Sequence, residues 1–514
     1  MKTKQETVSV VLLRIFAILF VMLFFWAMML AVVQSAQRQY YLPIALAPAL
    51  TAVLLLVFKK ANGLYHRIPA HILVTLFASA CIVTFFGMLY FSYRMRQTFG
   101  VDTWDFTRIQ IDAAEKAGGY QGVNISYYAK YKNNQFTYLL LTLLFRSVLW
   151  LAPNASGEVL NQCAMTLNCA AILMAIILVF CAIKRSRGTH FAFAAGIFLL
   201  LYTPLWLYSP IYYTDTLGLP FIVLPLLLYT FLESGKTARN VVLFCIMGVV
   251  CAIGMKIKMS IVFIFIAIGI LFLLLDRQKL RWLFVLSGTA ALVLIAFVLQ
   301  PGIDRTMHIT KEDYDRSQFP YLHWVMMSLG ENGGYDAQMV KYTASFETME
   351  ERKTAVVEKT KELLEERGFA GTVKHVFVTK MMHTWGDGTM SGTYYLGREP
   401  AENGVFRKYF TQKGESFRYV YIYLQTVHLM LLFGVMISGL WMFRKPEGDV
   451  VSAMRISVFG LLVFLLIWEC NARYLVHIAP FLVIVSTDGM AFLSRLKADG
   501  IKPEKIPKKT EKIS

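Results

Sequence analysis

The chain has 514 residues, 57% of them hydrophobic and only 16% charged, with a mean hydropathy of +0.52. Soluble domains carry about 25% charged residues, so this composition excludes a soluble globular enzyme. The formal net charge of +18 does not mark a nucleic-acid binder either, because the basic residues are spread over short linkers instead of one basic domain.

In chain order, apolar runs occupy 8–33, 43–58, 70–92, 158–183, 191–209, 217–232, 240–255, 259–275, 282–299, 420–443, 453–468 and 476–493. Most have the length a helix needs to cross a hydrocarbon core of about 30 Å. In lipid the backbone must satisfy itself, and runs this long and continuous do so as helices, not as barrel strands. The expected fold is therefore an all-α polytopic membrane protein of about twelve transmembrane helices, with juxtamembrane helices on the outer face and a small extracytoplasmic loop domain. The first run is longer than a signal-peptide core and lacks a small-x-small cleavage site, so it reads as a retained span. The run 137–152 is short and contains Arg146. It is expected to lie on or dip into the outer face.

Basic linkers follow alternate spans: Lys59-Lys60 with Arg67, Lys184-Arg185-Ser186-Arg187, Lys236 with Arg239, Arg277 to Arg281, and Arg444-Lys445. The N-terminus adds Lys2 and Lys4, and the tail adds Lys502, Lys505, Lys508, Lys509 and Lys512. Positive charge stays in the cytoplasm, so both termini are placed there. The segments 94–136, 210–216, 256–258, 301–419 and 469–475 then share the outer face. The expected organisation is a transmembrane module over 1–300 with a first catalytic outer loop at 94–136. A cap over 301–419, closing spans over 420–494 and a basic tail over 495–514 follow. Six of the seven cysteines sit in apolar runs and show no metal or disulfide spacing.

The outer loops hold the residues suited to chemistry. Asp105 and Arg108 are spaced i, i+3, which on a helix puts them on one face. A carboxylate there can act as a base or metal ligand, and an arginine can hold a phosphate with two hydrogen bonds. The same spacing also describes an ordinary surface ion pair. Lys132-Asn133-Asn134-Gln135 follows Tyr128 and leads into the juxtamembrane run. Its amides suit sugar hydroxyls or a helix cap. Asp215 lies before an apolar run, as a second carboxylate or as an N-cap. Lys256 and Lys258 sit at an outer turn, where a lysine can meet a lipid-linked phosphate or simply the interface. Glu469, Asn471, Arg473 and Tyr474 form the last outer turn. Arg473 there can meet an anionic headgroup or snorkel.

These residues resemble the GT-C superfamily of integral membrane glycosyltransferases, in the branch of protein O-mannosyltransferases and aminoarabinose–lipid A transferases. Asp105-Phe106-Thr107-Arg108 is similar to the Asp-x-x-Arg element of the aminoarabinose branch, and 128–135 is similar to a Tyr-x-x-Tyr-Pro-Asn-Asn-type segment with Lys132 in place of the proline. Arg473-Tyr474 followed by Pro480 is similar to a late Arg-Tyr…Pro pattern. Two departures are plain: the catalytic loop follows the third span instead of the first, and no lectin-like domain is recognisable. The resemblance implies a polyprenyl-phosphate sugar donor and an acceptor hydroxyl on a lipid, glycan or protein. It implies catalytic Asp105 and Asp215, with Arg108, Lys132, Lys256 and Arg473 on the donor phosphate. Tyr128, Asn133, Asn134, Gln135 and Tyr474 are then expected on acceptor or sugar. It leaves room for a divalent metal ion held by Asp105 and Asp215 without requiring one, and it implies membrane lipids but no nucleic acid as partners. A secondary transporter or lipid flippase, and a non-catalytic envelope assembly protein, remain as alternatives.

Overall fold

The computed structural model describes residues 4–95, 99–120, 122–275, 280–398, 404–446 and 448–495. The basic tail beyond 495, Lys2 and the linker 276–279 lie outside the described residues. Every regular element among the described residues is a helix.

Among the described residues, nine helices are long and apolar enough to cross a membrane: α1 (Lys4–Gln37), α2 (Leu42–Tyr65), α3 (Ala70–Met95), α6 (Gly157–Arg187), α9 (Thr237–Ile257), α11 (Arg281–Met307), α13 (Phe417–Arg444), α14 (Val450–Ile467), and α15 (Ala479–Arg495), which continues a 3₁₀ turn from Ala472. Three expected spans appear as shorter apolar helices: α7 (Thr189–Leu200), α8 (Leu219–Tyr229) and α10 (Val262–Leu275). The expected run 191–209 breaks after Leu200, and a new short helix, Thr203–Leu207, starts with Pro204 in its first turn. Proline is tolerated there because its missing N–H would be unpaired anyway. Lys258, in extended backbone, separates α9 from the 3₁₀ turn that opens α10. This is the tight outer turn the sequence suggests.

Small residues let the helices close on one another, as in membrane bundles. A Cβ on Gly248 of α9 would collide with the Gly288 carbonyl of α11, and one on Gly489 of α15 with the Gly434 carbonyl of α13.

The two ends of the bundle differ chemically. At one end Arg187 pairs with Asp449 and lies 3.6 Å from Asp488, and Asp488 also pairs with the buried Arg455. This end carries the basic linkers. At the other end lie α4 (Asp105–Ala117), the helix α5 (Gln135–Leu151) and the segment 301–419. α5 begins beside Asn134 and is followed by α6, whose Asn161 meets Tyr212 at the same end (3.1 Å). Both ends of α5 therefore stay on one side, and it does not cross. Its exposed Leu143, Trp150 and Leu151 suit a helix lying in the interface.

The segment 301–419 packs against the helices of the bundle. Its main helix, α12 (Met349–Lys374), starts with a Thr348–Glu351 capping box. It continues through a π-turn, His375–Lys380, into Met381–Trp385. There it meets the apolar stretch of α1: Trp26 donates to the Phe377 carbonyl (2.6 Å), and Trp385 packs edge-on against Phe24 (5.2 Å).

Candidate active site

The start of α4 is set by Thr107, whose hydroxyl accepts from the amides of Thr103 (2.9 Å) and Trp104 (3.1 Å). This places Asp105 in the first turn, where a carboxylate is favoured. Asp105 Oδ1 accepts from the Tyr127 hydroxyl (2.8 Å). Tyr127 stands on the short helix Ile125–Lys130, which the Asn124 side chain caps. The Tyr127 hydroxyl in turn accepts from Asn134 Nδ2 (2.8 Å), and Asn134 Oδ1 accepts from Tyr213 (2.8 Å) and Asn133 (2.9 Å). One hydrogen-bonded chain thus ties together the first outer loop, the juxtamembrane entry and the 210–216 loop. Asp105 Oδ2 makes no hydrogen bond among the described residues.

Arg473 lies beside this chain. Its guanidinium centre stands 5.3 Å from the ring of Trp104, 5.4 Å from Tyr213, 4.8 Å from Tyr395 and 5.6 Å from Tyr474. Four rings around one cation give attraction without consuming its donors. Nε points toward Asp215 Oδ2 at 3.5 Å, and the side chain is 11% exposed. The two Nη groups make no hydrogen bond among the described residues, so they remain available to an anion. Asp215 is only 1% exposed and its other oxygen pairs with Lys258, which also lies over the Tyr474 ring (4.8 Å).

Glu469 closes the cluster. It is buried and accepts from the Tyr474 hydroxyl (3.0 Å). Burial pushes its carboxyl up to about 7, with the Asp105 charge adding to the rise and Tyr474, Arg473 and Lys258 opposing it.

A second polar group adjoins the first through consecutive residues Asn134 and Gln135. Gln300 donates to Gln135 (2.8 Å) and Asp304 (2.9 Å), and Tyr314 donates to Asp304 (2.5 Å). Lys256 donates to Gln300 (2.9 Å), and Lys132 Nζ lies 3.7 Å from the centre of the Tyr314 ring. Burial lowers the Lys132 ammonium, Asp304 opposes this, and the nearby Lys256 charge lowers it further.

Of the expected residues, Asp105, Asp215, Asn133, Asn134, Arg473 and Tyr474 meet in one cluster. Lys132, Lys256 and Gln135 meet in the adjoining one. Arg108 and Tyr128 stand apart from both clusters. Arg108 does not face Asp105: it pairs with Asp102 (3.2 Å) and with Asp112 (3.2 Å), on another face of α4, and is 33% exposed. The i, i+4 partner and the upstream carboxylate take the guanidinium in place of the i, i+3 one. Tyr128 turns away into the core, its ring 4.8 Å from that of Tyr138. Nor do the residues fit a metal bridged by Asp105 and Asp215, since both Asp215 oxygens face cations. Among the described residues no group of three or more His, Cys, Asp or Glu gathers as a metal site.

The structure adds Trp104, Tyr127, Tyr213 and Tyr395, and brings Lys258 and Glu469 into the cluster. Glu469 and Lys258 carried a sequence signal, each being a charge at the end of an apolar run. The aromatic residues carried none beyond their clustering in outer loops.

Fold and site define a polytopic membrane protein with a polar, aromatic-lined cluster at one end of its helices. More particularly, the chain belongs to the family described as conserved hypothetical integral membrane protein, whose family model matches residues 5–491. No curated protein sequence matches it. Among solved structures it is similar to the archaeal oligosaccharyltransferase AglB from Archaeoglobus fulgidus, in complex with an inhibitory peptide and a dolichol-phosphate. That likeness has 12% identity and a TM-score of 0.43, and covers 80% of this chain and 50% of that one. The chain thus spans about half the length of that enzyme. It is also similar to ArnT from Cupriavidus metallidurans bound to undecaprenyl phosphate, at 13% identity and a TM-score of 0.32, covering 81% of this chain and 77% of the other.

Proposed function

We propose that the protein is a GT-C-type membrane glycosyltransferase that moves a sugar from a polyprenyl-phosphate donor to an acceptor hydroxyl. The observation that carries this reading is the pairing, in one cluster, of a carboxylate with an unengaged oxygen, Asp105, and an encased guanidinium with unengaged Nη groups, Arg473. The transfer needs a base for the acceptor proton and a cation for the phosphate that leaves. Asp105 takes the acceptor proton as the acceptor oxygen attacks the anomeric carbon. Arg473 stabilises the negative charge developing on the departing phosphate. Asp215, itself paired with Lys258, is a positioning residue that faces Arg473 Nε and so aims its Nη groups. Lys132 and Lys256, two like charges held close together, suit the same anion on its way in. Asn133 and Asn134 supply amides for sugar hydroxyls. The acceptor is a lipid, glycan or protein hydroxyl. The distribution of basic linkers supports a site on the extracytoplasmic face of the cell membrane, with both termini in the cytoplasm.

The test is transfer by the purified protein from a panel of polyprenyl-phosphate sugars, comparing wild type with Asp105→Asn. Loss of a positioned base is expected to slow transfer by about 10²-fold or more. Equal rates would remove Asp105 from the chemistry. Absence of transfer from any lipid donor, with substrate uptake into liposomes, would replace the enzyme by a transporter.

A further inference from the structure

We propose that Glu469 is the general acid of this transfer, giving its proton to the phosphate oxygen that departs while Asp105 receives the acceptor's proton. The inference rests on the transferase reading and assigns a role that reading leaves empty.

The geometry places the two carboxyls in one cluster by two routes. On one side Trp104, next to Asp105, packs on Arg473, which packs on Tyr474, whose hydroxyl holds Glu469. On the other, the rings of Tyr127 and Tyr131 lie 5.1 Å apart, Tyr131 and Trp324 6.2 Å, and Trp324 and Trp468 6.4 Å, which leads to the residue before Glu469. Only one Glu469 oxygen is engaged, by Tyr474. The other makes no hydrogen bond among the described residues. Asp105 is likewise held through one oxygen by Tyr127. Each carboxyl is therefore fixed by a tyrosine and keeps its second oxygen for substrate.

Their surroundings divide the labour. Glu469 is buried and feels the negative charge of Asp105, which together favour the protonated form over the pull of Tyr474, Arg473 and Lys258. Lys380 and Cys470 also lie within electrostatic reach, as do Tyr131, Tyr335 and Tyr395. A buried carboxyl whose surroundings favour its proton, with its second oxygen open to substrate, suits a general acid.

The step balances. The acceptor oxygen forms its bond to the anomeric carbon and its proton goes to Asp105. The bond from that carbon to the phosphate oxygen breaks and its electron pair stays on that oxygen, which takes the Glu469 proton. Asp105 is left protonated and Glu469 ionised, and passage of one proton from the first to the second restores both.

The assignment predicts an alkaline limb in the pH–rate profile that belongs to Glu469, with half-loss near pH 7. Glu469→Gln keeps the size and the Tyr474 hydrogen bond but cannot donate. It is expected to lower single-turnover transfer from undecaprenyl-phosphate sugar by about 10²-fold and to abolish that limb. Donor binding should stay within about threefold. A Gln variant with wild-type rate and profile overturns the inference and leaves the transferase reading standing. Infrared difference titration supplies a readout independent of transfer. A protonated-carboxyl band that disappears as pH rises through 7 in wild type and is absent in Glu469→Gln supports the assignment. A band that has already gone below pH 5 overturns it.

Discussion

The ion pair between Asp215 and Lys258 shows what residue-scale reading of a sequence can and cannot reach. Each residue stands out alone as a charge beside an apolar run, but their partnership spans 43 positions, and no local spacing encodes it. The Asp105–Arg108 pair is the converse: its spacing is local and suggestive, yet the structure spends Arg108 on Asp102 and Asp112. Two predictions separate these cases. Arg108→Ala removes a partly exposed pair with Asp102, worth about 1 kcal/mol or less, and leaves Asp112, 6% exposed, without its cation, so the melting temperature is expected to fall while transfer stays near wild type. A tenfold loss of transfer would return Arg108 to the site. Lys258→Met leaves Asp215, 1% exposed, facing Arg473 alone. Breaking a buried pair from one side costs about 3 kcal/mol or more, whereas neutralising both partners costs less. The melting temperature in detergent is therefore expected to fall further for Lys258→Met than for the double variant with Asp215→Asn. The reverse order would show that the pair does not act as a unit.

At the scale of elements, hydropathy made the spans legible because each helix must satisfy its own backbone in lipid. It located twelve apolar runs, but it could not show where prolines break them, as at Leu201–Tyr202 before Pro204. Nor could it show how 301–419 packs, because a helix that lies against other helices need not look apolar all round. Along α12 and the π-turn, Phe369 is 87% exposed, and Val373 and Phe377 repeat the exposure at four-residue intervals. These three share a face, and Trp26, on the lipid-exposed side of α1, bonds to the Phe377 carbonyl. Such a row is the apolar side of an interfacial helix. A spin label on Phe377→Cys is expected to be more accessible to molecular oxygen, which partitions into lipid, than to a water-soluble nickel chelate. The opposite ratio would place the row in water. The contact has a consequence for the site, since Lys380, one turn beyond Phe377, donates to the carbonyls of Leu466 and Trp468 (both 2.9 Å) just before Glu469. It supplies partners for carbonyls that the end of α14 leaves unpaired.

For the whole molecule, orientation follows from parity, and parity turns on α5. If α5 crossed, the chain would carry an odd number of spans up to α6, and the basic linkers after it would fall on the opposite side from Lys59 and Lys60. Because α5 starts beside Asn134 and hands over to α6 at the same end, Arg185, Arg187, Arg239 and Arg444 stay on one side of the bundle with Lys59 and Lys60. The site, α4 and the exposed surface of α12 share the other. Positive residues resist translocation, so the orientation proposed above makes the first side the cytoplasmic one. The seven cysteines are free and buried or half-buried, which gives a low background for single-cysteine labelling. In intact cells a membrane-impermeant maleimide is expected to label Lys361→Cys, on exposed α12, and to label Lys60→Cys only after permeabilisation. Labelling of Lys60→Cys from outside, with protection of Lys361→Cys, would invert the molecule. It would then open the acceptor side of Asp105 to the cytoplasm, where the donor sugar would not need to cross the bilayer before transfer.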